Sequence, residues 1–252
     1  MVKKFAIAAV AALALPMASH ALEIGVQGTY WMPTFTADLA IKDAATFSAT
    51  DDFDTDQKVG IPGARAFFGI GDHHISVSAQ KAAYKGDYEG LNPISWGGTT
   101  ILATTDGGEF KYDYTMIDAT YQYDLLDLEN FAAGFSFGPL FNLKYIDGTA
   151  EVAKTTAPAA RETQDFTAPI PMVGLGLHIG ILMDILEGRA QVAGIGYGPN
   201  RVIDGLAEVS VTPFPFLDVS VGYRIMQVKI DYSDVELDLN QTGPYAGLTV
   251  SF

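Results

Sequence analysis

The chain has 252 residues, with 15 basic against 30 acidic side chains, a formal charge of −15 and no cysteine. That balance disfavours nucleic-acid binding, which needs the opposite sign. The lack of cysteine excludes a disulfide framework, a thiolate nucleophile and a thiolate metal site.

At the start of the chain, Lys3 and Lys4 form a basic segment, residues 5–15 form an apolar stretch, Pro16 breaks it, and Ser19-His20-Ala21 places small residues at −3 and −1 of a cleavage site. This pattern predicts a secretory signal peptide over residues 1–21 and a mature single-domain chain over residues 22–252. Without Lys3 and Lys4 the balance is 13 basic against 30 acidic, or −17. Beyond that point no apolar run reaches the ~18 residues of a spanning helix. The closest, residues 169–183, is interrupted by Pro, Gly and His.

The mature chain instead alternates with period 2, the mark of strands with one apolar face. The first strand, about residues 23–32, sets Ile24, Val26, Gly28 and Tyr30 against Glu23, Gln27 and Thr29; a polar segment, 33–58, reads as a long loop. The second, 59–70, places Ala64, Ala66, Phe68 and Ile70 outward and Arg65 inward. A tight turn at 71–74 leads to a third strand, 75–85, and then to a second long loop, 86–107. The fourth, 109–123, has Ile117, Ala119, Tyr121 and Tyr123 outward below. Its upper half shows the opposite parity at Phe110, Tyr112 and Tyr114, which predicts either a bulge near Thr115 or a strand that rises above the lipid.

The fifth strand, from residue 131 to about 145, alternates most cleanly, with Phe131, Ala133, Phe135, Phe137, Phe141, Leu143 and Tyr145 on one face and Ala132, Gly134, Ser136, Gly138, Asn142 and Lys144 on the other. A third loop is expected over 147–162, and a sixth strand over 164–179 with Val173, Leu175, Leu177 and Ile179 outward. The seventh, 188–197, has no assignable parity. The eighth, 204–212, sets Ala207, Val209 and Val211 against Glu208, Ser210 and Thr212. The ninth, 217–230, sets Leu217, Val219, Val221 and Tyr223 against Asp218, Ser220, Gly222 and Arg224. The closing strand, 236–252, ends with Ala246, Leu248, Val250 and Phe252 on the apolar face. An amphipathic strand with an aromatic at its tip gains from pairing and from lipid, so Leu248, Val250 and Phe252 read as the assembly signal of a membrane barrel.

The expected fold is therefore all-β: a transmembrane, antiparallel, up-and-down barrel of about ten strands, or eight if the seventh and eighth are shorter. A soluble β-sandwich also alternates, but it rarely tolerates so many glycines on its non-greasy face. Tyr30, Trp31, Tyr84, Tyr114, Tyr121, Tyr123, Phe131, Tyr145, Tyr197 and Phe252 fall near strand ends, where such barrels carry aromatic girdles. Inward parity gathers Glu23, Arg65, Asp118, Lys144, Glu208, Asp218 and Arg224, and both signs in one narrow lumen predict a polar plug, with a narrow path for ions or small solutes as the alternative.

Asp52, Asp54 and Asp56 have the spacing of a calcium loop, but Gln57 stands at the turn-glycine position and Gly63 where the bidentate Glu belongs, so an EF-hand is excluded. A loose site for divalent ions bridging to lipopolysaccharide, or a solvated acidic loop, remains. Outer-leaflet chemistry by a lipid-modifying enzyme needs a histidine with polar partners near the outer rim. His20 leaves with the signal, His73 and His74 fall in a periplasmic turn, and His178 lies near the periplasmic end of its strand. No catalytic residue, cofactor or enzyme activity is therefore expected. The expected partners are outer-membrane lipids and lipopolysaccharide, periplasmic chaperones and the barrel assembly machinery, with no nucleic acid and a monomeric state.

Asp147-Gly148, Pro169-Ile170-Pro171-Met172, Gly222-Tyr223-Arg224 and Gly243-Pro244-Tyr245-Ala246-Gly247-Leu248 resemble a functionally uncharacterised family of small outer-membrane β-barrel proteins of Gram-negative bacteria. The resemblance is best in the C-terminal half and implies fold and location, not catalysis.

Overall fold

The computed structural model describes residues 22–41, 46–88, 90, 92–96, 99–103, 106–127, 134–155, 161–181, 185–232 and 235–252. The proposed signal peptide and residues 131–133 at the start of the fifth expected strand, Phe131 among them, lie outside them. In chain order the strands are β1 (Leu22–Trp31), β2 (Thr34–Ile41), β3 (Phe47–Ser48), β4 (Ile61–Ile70), β5 (His73–Asp87), β6 (Ile94–Trp96), β7 (Thr99–Leu102), β8 (Gly108–Tyr123), β9 (Leu126–Asp127), β10 (Phe135–Lys154), β11 (Arg161–Ile181), β12 (Leu186–Tyr197), β13 (Asn200–Phe214), β14 (Leu217–Tyr232) and β15 (Val235–Ser251). Ten of them form the wall in the order β1-β4-β5-β8-β10-β11-β12-β13-β14-β15, every pair antiparallel, and β15 pairs back onto β1 from Gly25↔Ser251 to Trp31↔Tyr245. Closure removes both sheet edges, so the backbone groups of the wall are paired without help from solvent, as lipid demands. Phe252 completes the seam: its N–H donates to the Ile24 carbonyl at 2.8 Å, and its ring stacks on Phe216 with centroids 5.3 Å apart.

Alternation fixes which side chains meet lipid. Val26, Phe68, Val77, Ile117, Phe141, Leu143, Val173, Val209, Val221, Leu248 and Val250 all point outward and are exposed. On β10 the outward apolar row runs from Phe135 to Tyr145. The ten steps between them at about 3.4 Å each, tilted by about 40°, rise roughly 25 Å, the height of an outer-membrane hydrocarbon band.

The strands are longer than that band requires. β10 has 20 residues and β11 has 21, against about 9–11 for a bilayer crossing. The excess stands on the outer side, and there the polarity inverts. Asp147, Thr149 and Glu151 point out, while Ile146, Ala150 and Val152 are buried inside. β8 does the same: Glu109, Lys111 and Asp113 face out, and Phe110 and Tyr114 are buried. Its register against β5 and β10 is continuous, so no bulge sits at Thr115 and the strand rises above the lipid. The reason is simple. Lipid rewards apolar side chains outside, water rewards polar ones, and a barrel that crosses from one solvent to the other must exchange its faces.

Three segments expected as loops carry strands. Residues 33–58 contain β2, which continues β1 past Met32-Pro33 and pairs with upper β15 from Thr242↔Thr34 to Val235↔Ile41. Residues 86–107 contain the β6–β7 hairpin, and 147–162 contain the outer ends of β10 and β11. β12 resolves the unassigned parity: Arg189 pairs with Glu208 and faces the lumen, while Ala190 and Val192 face out.

The first outer segment folds into the mouth. Phe47 and Phe53 are buried against Phe110, with centroids 6.1 and 5.4 Å away, and Phe53 also meets Tyr88 at 5.6 Å. Below them Phe35 stacks on Tyr84 at 4.0 Å, and Tyr112 on Phe166 at 5.8 Å. Gly86 permits this, because the Phe53 carbonyl and Thr55 occupy the place a Cβ would take. The upper barrel thus has a packed aromatic core.

Candidate functional site

Beneath the aromatic core, at the height of the upper lipid-facing residues, the lumen is bridged by four charged side chains. Lys144 (β10) is fully buried and its Nζ lies 2.5 Å from Asp118 Oδ1 (β8) and 2.8 Å from Asp204 Oδ2 (β13). Arg224 (β14) grips Asp204 with two donors, Nε to Oδ1 at 3.2 Å and Nη2 to Oδ2 at 2.7 Å. Its Nη2 also lies 3.6 Å from Asp118 Oδ2, and its Nη1 donates to Gln80 Oε1 (β5) at 2.7 Å. The guanidinium stacks over the Trp31 ring at 5.0 Å, and Trp31 Nε1 donates to the Gly243 carbonyl at 3.3 Å. Two cations and two carboxylates therefore form a neutral ring that ties β5, β8 and β10 to β13 and β14, strands on opposite sides of the barrel. Burying four charges is costly, and mutual pairing offsets that cost only when each charge finds partners, as here.

The ring is capped above by an uncharged layer. Tyr114 donates to Gln241 Oε1 at 2.9 Å, and Gln241 Nε2 donates to the Tyr84 hydroxyl at 2.8 Å. Trp31, Tyr84 and Tyr114 were expected in the girdle. They are buried in the lumen instead, because each sits on the inward parity of a strand whose inside must be filled. Tyr30, Tyr145, Tyr197 and Phe252 do face outward.

On the periplasmic side of the ring lies a cavity of about 70 Å³, lined by Arg65, Ser78, Gln80, Asn142, Arg224 and Tyr245 among others. Arg65 rests over the Phe67 ring at 5.5 Å. Below, Arg189 pairs with Glu208, Gln27 Nε2 donates to Ser220 Oγ at 3.3 Å, and Tyr245 donates to Gln27 Oε1 at 3.2 Å.

Of the seven lumen residues expected from parity, the fold brings Asp118, Lys144 and Arg224 into the ring, and sets Arg65 and Glu208 in the layers below. Glu23 and Asp218 stand apart from the ring. Glu23 is exposed at the periplasmic rim beside Gly69, and Asp218 accepts hydrogen bonds from Thr212 at 2.6 Å and Ser251 at 3.4 Å near the same end. Sequence reasoning missed Asp204, Arg189 and Gln241, while the parity of the third strand does place Gln80 inward with Ser76 and Ser78. Asp204 is the first residue of the expected eighth strand and shares the parity of Glu208, Ser210 and Thr212, so that face, read to its end, contains it.

The histidines gather at the periplasmic end. His73 Nδ1 lies 2.8 Å from the Tyr121 hydroxyl, His74 Nε2 lies 3.1 Å from Asp124 Oδ2, and His178 Nε2 lies 3.4 Å from Glu187 Oε2. Asp124 sits in the turn after β8. Burial works to raise its pKa, but hydrogen bonds from His74, Gln122 and Ser136 outweigh it and hold the carboxyl below its ordinary value.

In the first outer loop Asp52 serves the loop itself, accepting from the Ser48 N–H at 2.9 Å and from Asn92 Nδ2 at 3.1 Å. Asp54 and Asp56 are exposed, and Asp54 has a left-handed backbone with φ 42°. The three carboxylates do not converge, and among the described residues no group of three or more His, Asp or Glu side chains does.

No protein-family model matches this chain, and no curated protein matches it in sequence. Its fold does have solved counterparts. The crystal structure of the outer-membrane protease OmpT from Escherichia coli superposes with a TM-score of 0.59 at 11% identity, over 95% of this chain and 99% of that one. Neisserial surface protein A gives a TM-score of 0.35 at 17% identity over 91% and 97%, and the Pseudomonas putida toluene transporter TodX gives 0.33 at 6% over 93% and 90%. The last two overlaps are too weak to weigh. The closed ten-strand wall, its apolar outer band and the first comparison show the fold of an outer-membrane β-barrel protein. At these identities the likeness is one of fold, and it assigns no specific family.

Proposed function

We propose that this protein is a non-catalytic, sealed outer-membrane barrel with a structural or surface role, belonging with the uncharacterised small outer-membrane barrels that its Gly222-Tyr223-Arg224 and Gly243–Leu248 motifs resemble. The observation that carries the reading is the Lys144–Asp118–Arg224–Asp204 ring, which spans the lumen beneath a packed aromatic core and leaves a cavity of only about 70 Å³. A solute would have to break the buried ion pairs and displace the core above them. What the barrel offers its surroundings is then its outer surface: a polar collar above the lipid, formed by the outward faces of β8, β10 and β11. Lipids and lipopolysaccharide contact the band, and chaperones and the assembly machinery act before it closes.

The fold is also that of a protease, so activity must be tested. His73, His74 and His178 lie at the periplasmic end, which supports the non-catalytic reading at the outer face. Proteoliposomes containing the purified protein should take up small sugars no faster than empty liposomes, cleave no fluorogenic peptide library, and leave the lipid A mass profile unchanged. Solute uptake would favour a narrow channel; peptide cleavage or altered lipid A would make the protein an enzyme.

A further inference from the structure

The middle of the lumen carries an odd positive charge. Lys144, Arg224, Asp118 and Asp204 cancel one another, and Arg189 is answered by Glu208. Arg65 remains. Among the described residues no carboxylate stands within 4.0 Å of its guanidinium, and its contact is the face of Phe67 at 5.5 Å. The other carboxylates of the lower barrel, Glu23, Glu187 and Asp218, belong to the periplasmic end, where Glu187 meets His178 and Asp218 meets Thr212 and Ser251.

Arg65 lines the cavity of about 70 Å³; Asp118 and Asp204 line it too, with their oxygens turned to Lys144 and Arg224, and most of the remaining polar lining can donate. Ser78 is its register partner on β5, and Ser76, Thr29 and Thr120 add hydroxyls. Gln80 is fixed at its oxygen by Arg224 Nη1, so its amide nitrogen is directed by a bond already made. That nitrogen is buried and without a hydrogen-bond partner. Asn142 Oδ1 is likewise buried and unpartnered while its Nδ2 meets Thr120 Oγ1 at 2.8 Å. Thr120 can donate as well as accept, so reversing that amide satisfies the oxygen and turns a second N–H₂ to the cavity.

From this geometry we infer that the cavity between Arg65 and Gln80 is a binding site for one small monovalent anion of halide size. The charge is right: the paired ring contributes none and Arg65 contributes one. The donors are right: a guanidinium, amide N–H groups and hydroxyls line one cavity. A cavity of about 70 Å³ has room for a halide ion with neighbouring water. The anion completes the plug by neutralising the last charge in it. The inference rests on the cavity, not on whether the barrel conducts, so a conducting barrel with a bound halide and a silent one without would each be recognised.

The test uses the full mature protein purified in detergent. Crystals grown in bromide in place of chloride should show an anomalous bromide peak in the cavity, beside Arg65 and Gln80. The unfolding temperature should be higher by about 2–5 °C in 150 mM bromide than in 150 mM gluconate, an anion far larger than a halide. Arg65→Met should abolish both the peak and the difference between salts, and Arg65→Lys should keep part of each. Water alone in the cavity, equal stability in the two salts, or a bromide peak that survives Arg65→Met would overturn the inference. Should Arg65→Met fail to fold, the wild-type peak and the salt comparison decide the matter by themselves.

Discussion

Arg224 and Asp204 meet edge to edge inside the barrel, Nε to Oδ1 at 3.2 Å and Nη2 to Oδ2 at 2.7 Å. This is the two-point geometry by which a guanidinium holds a carboxylate most firmly. Because the same carboxylate also meets Lys144 at 2.8 Å, the pair is one side of a ring, not an isolated bridge. Removing one member leaves a buried charge short of a partner. Arg224→Met should therefore destabilise the folded barrel by about 3–5 kcal/mol. The double variant Lys144→Met/Asp118→Asn, which removes one charge of each sign, should cost less than Lys144→Met alone. Urea unfolding in detergent, followed by loss of heat-modifiable mobility, measures both. Additive losses in the double variant would mean the ring is not a coupled unit.

The exchange of faces above the lipid predicts that position, not parity, decides tolerance to charge. Val221 is exposed in the apolar band, and Thr149 faces outward from the upper part of β10. Val221→Lys should cost about 2–4 kcal/mol when the protein is folded into bilayers. Thr149→Lys, also outward, should change stability by no more than about 0.5 kcal/mol. Equal penalties would place Thr149 in the hydrocarbon and shorten the extramembrane part of the barrel.

Trp31 gives an optical test of the aromatic core. Its ring is 1% exposed and lies under Arg224 in the lumen. In a Trp96→Phe background its emission should be blue-shifted, and lipids brominated on their acyl chains should not quench it. Strong quenching would return Trp31 to the lipid interface.

Acid should loosen the periplasmic end. Asp124 is held below its ordinary pKa by hydrogen bonds from His74, Gln122 and Ser136. A depressed carboxylate contributes stability that is fully present above its unfolded value of about 3.9 and is lost as the pH falls through its folded value. Between pH 5 and pH 2 the wild type should therefore lose stability that Asp124→Asn, already without the interaction, does not lose. Parallel pH curves for the two proteins would show that the contact contributes nothing.

The lipid-embedded half of the molecule was legible from alternation alone. The parity read at 135–145, 204–212 and 217–230 survives in β10, β13 and β14, and the count of ten holds. The outer half was not, for a physical reason. Around Asp147–Glu151 and Thr34–Asp38 the outward residues are polar, so a reader expecting greasy outward faces takes the stretch for loop. The same inversion sent Trp31, Tyr84 and Tyr114 to the girdle when they fill the core. Of the charged ring, Asp118, Lys144 and Arg224 could be read from parity. Asp204 was missed because it stands at the upper end of its readable face. That these four meet could not be read at all, since it depends on which strands lie opposite one another across a closed wall.

The central claim is that the lumen is sealed by buried ion pairs. Single-channel recording of the purified, refolded protein in planar lipid bilayers tests it most directly. The account predicts a silent membrane in molar salt at voltages of either sign. Steady, reproducible current steps that scale with the amount of protein inserted would contradict it.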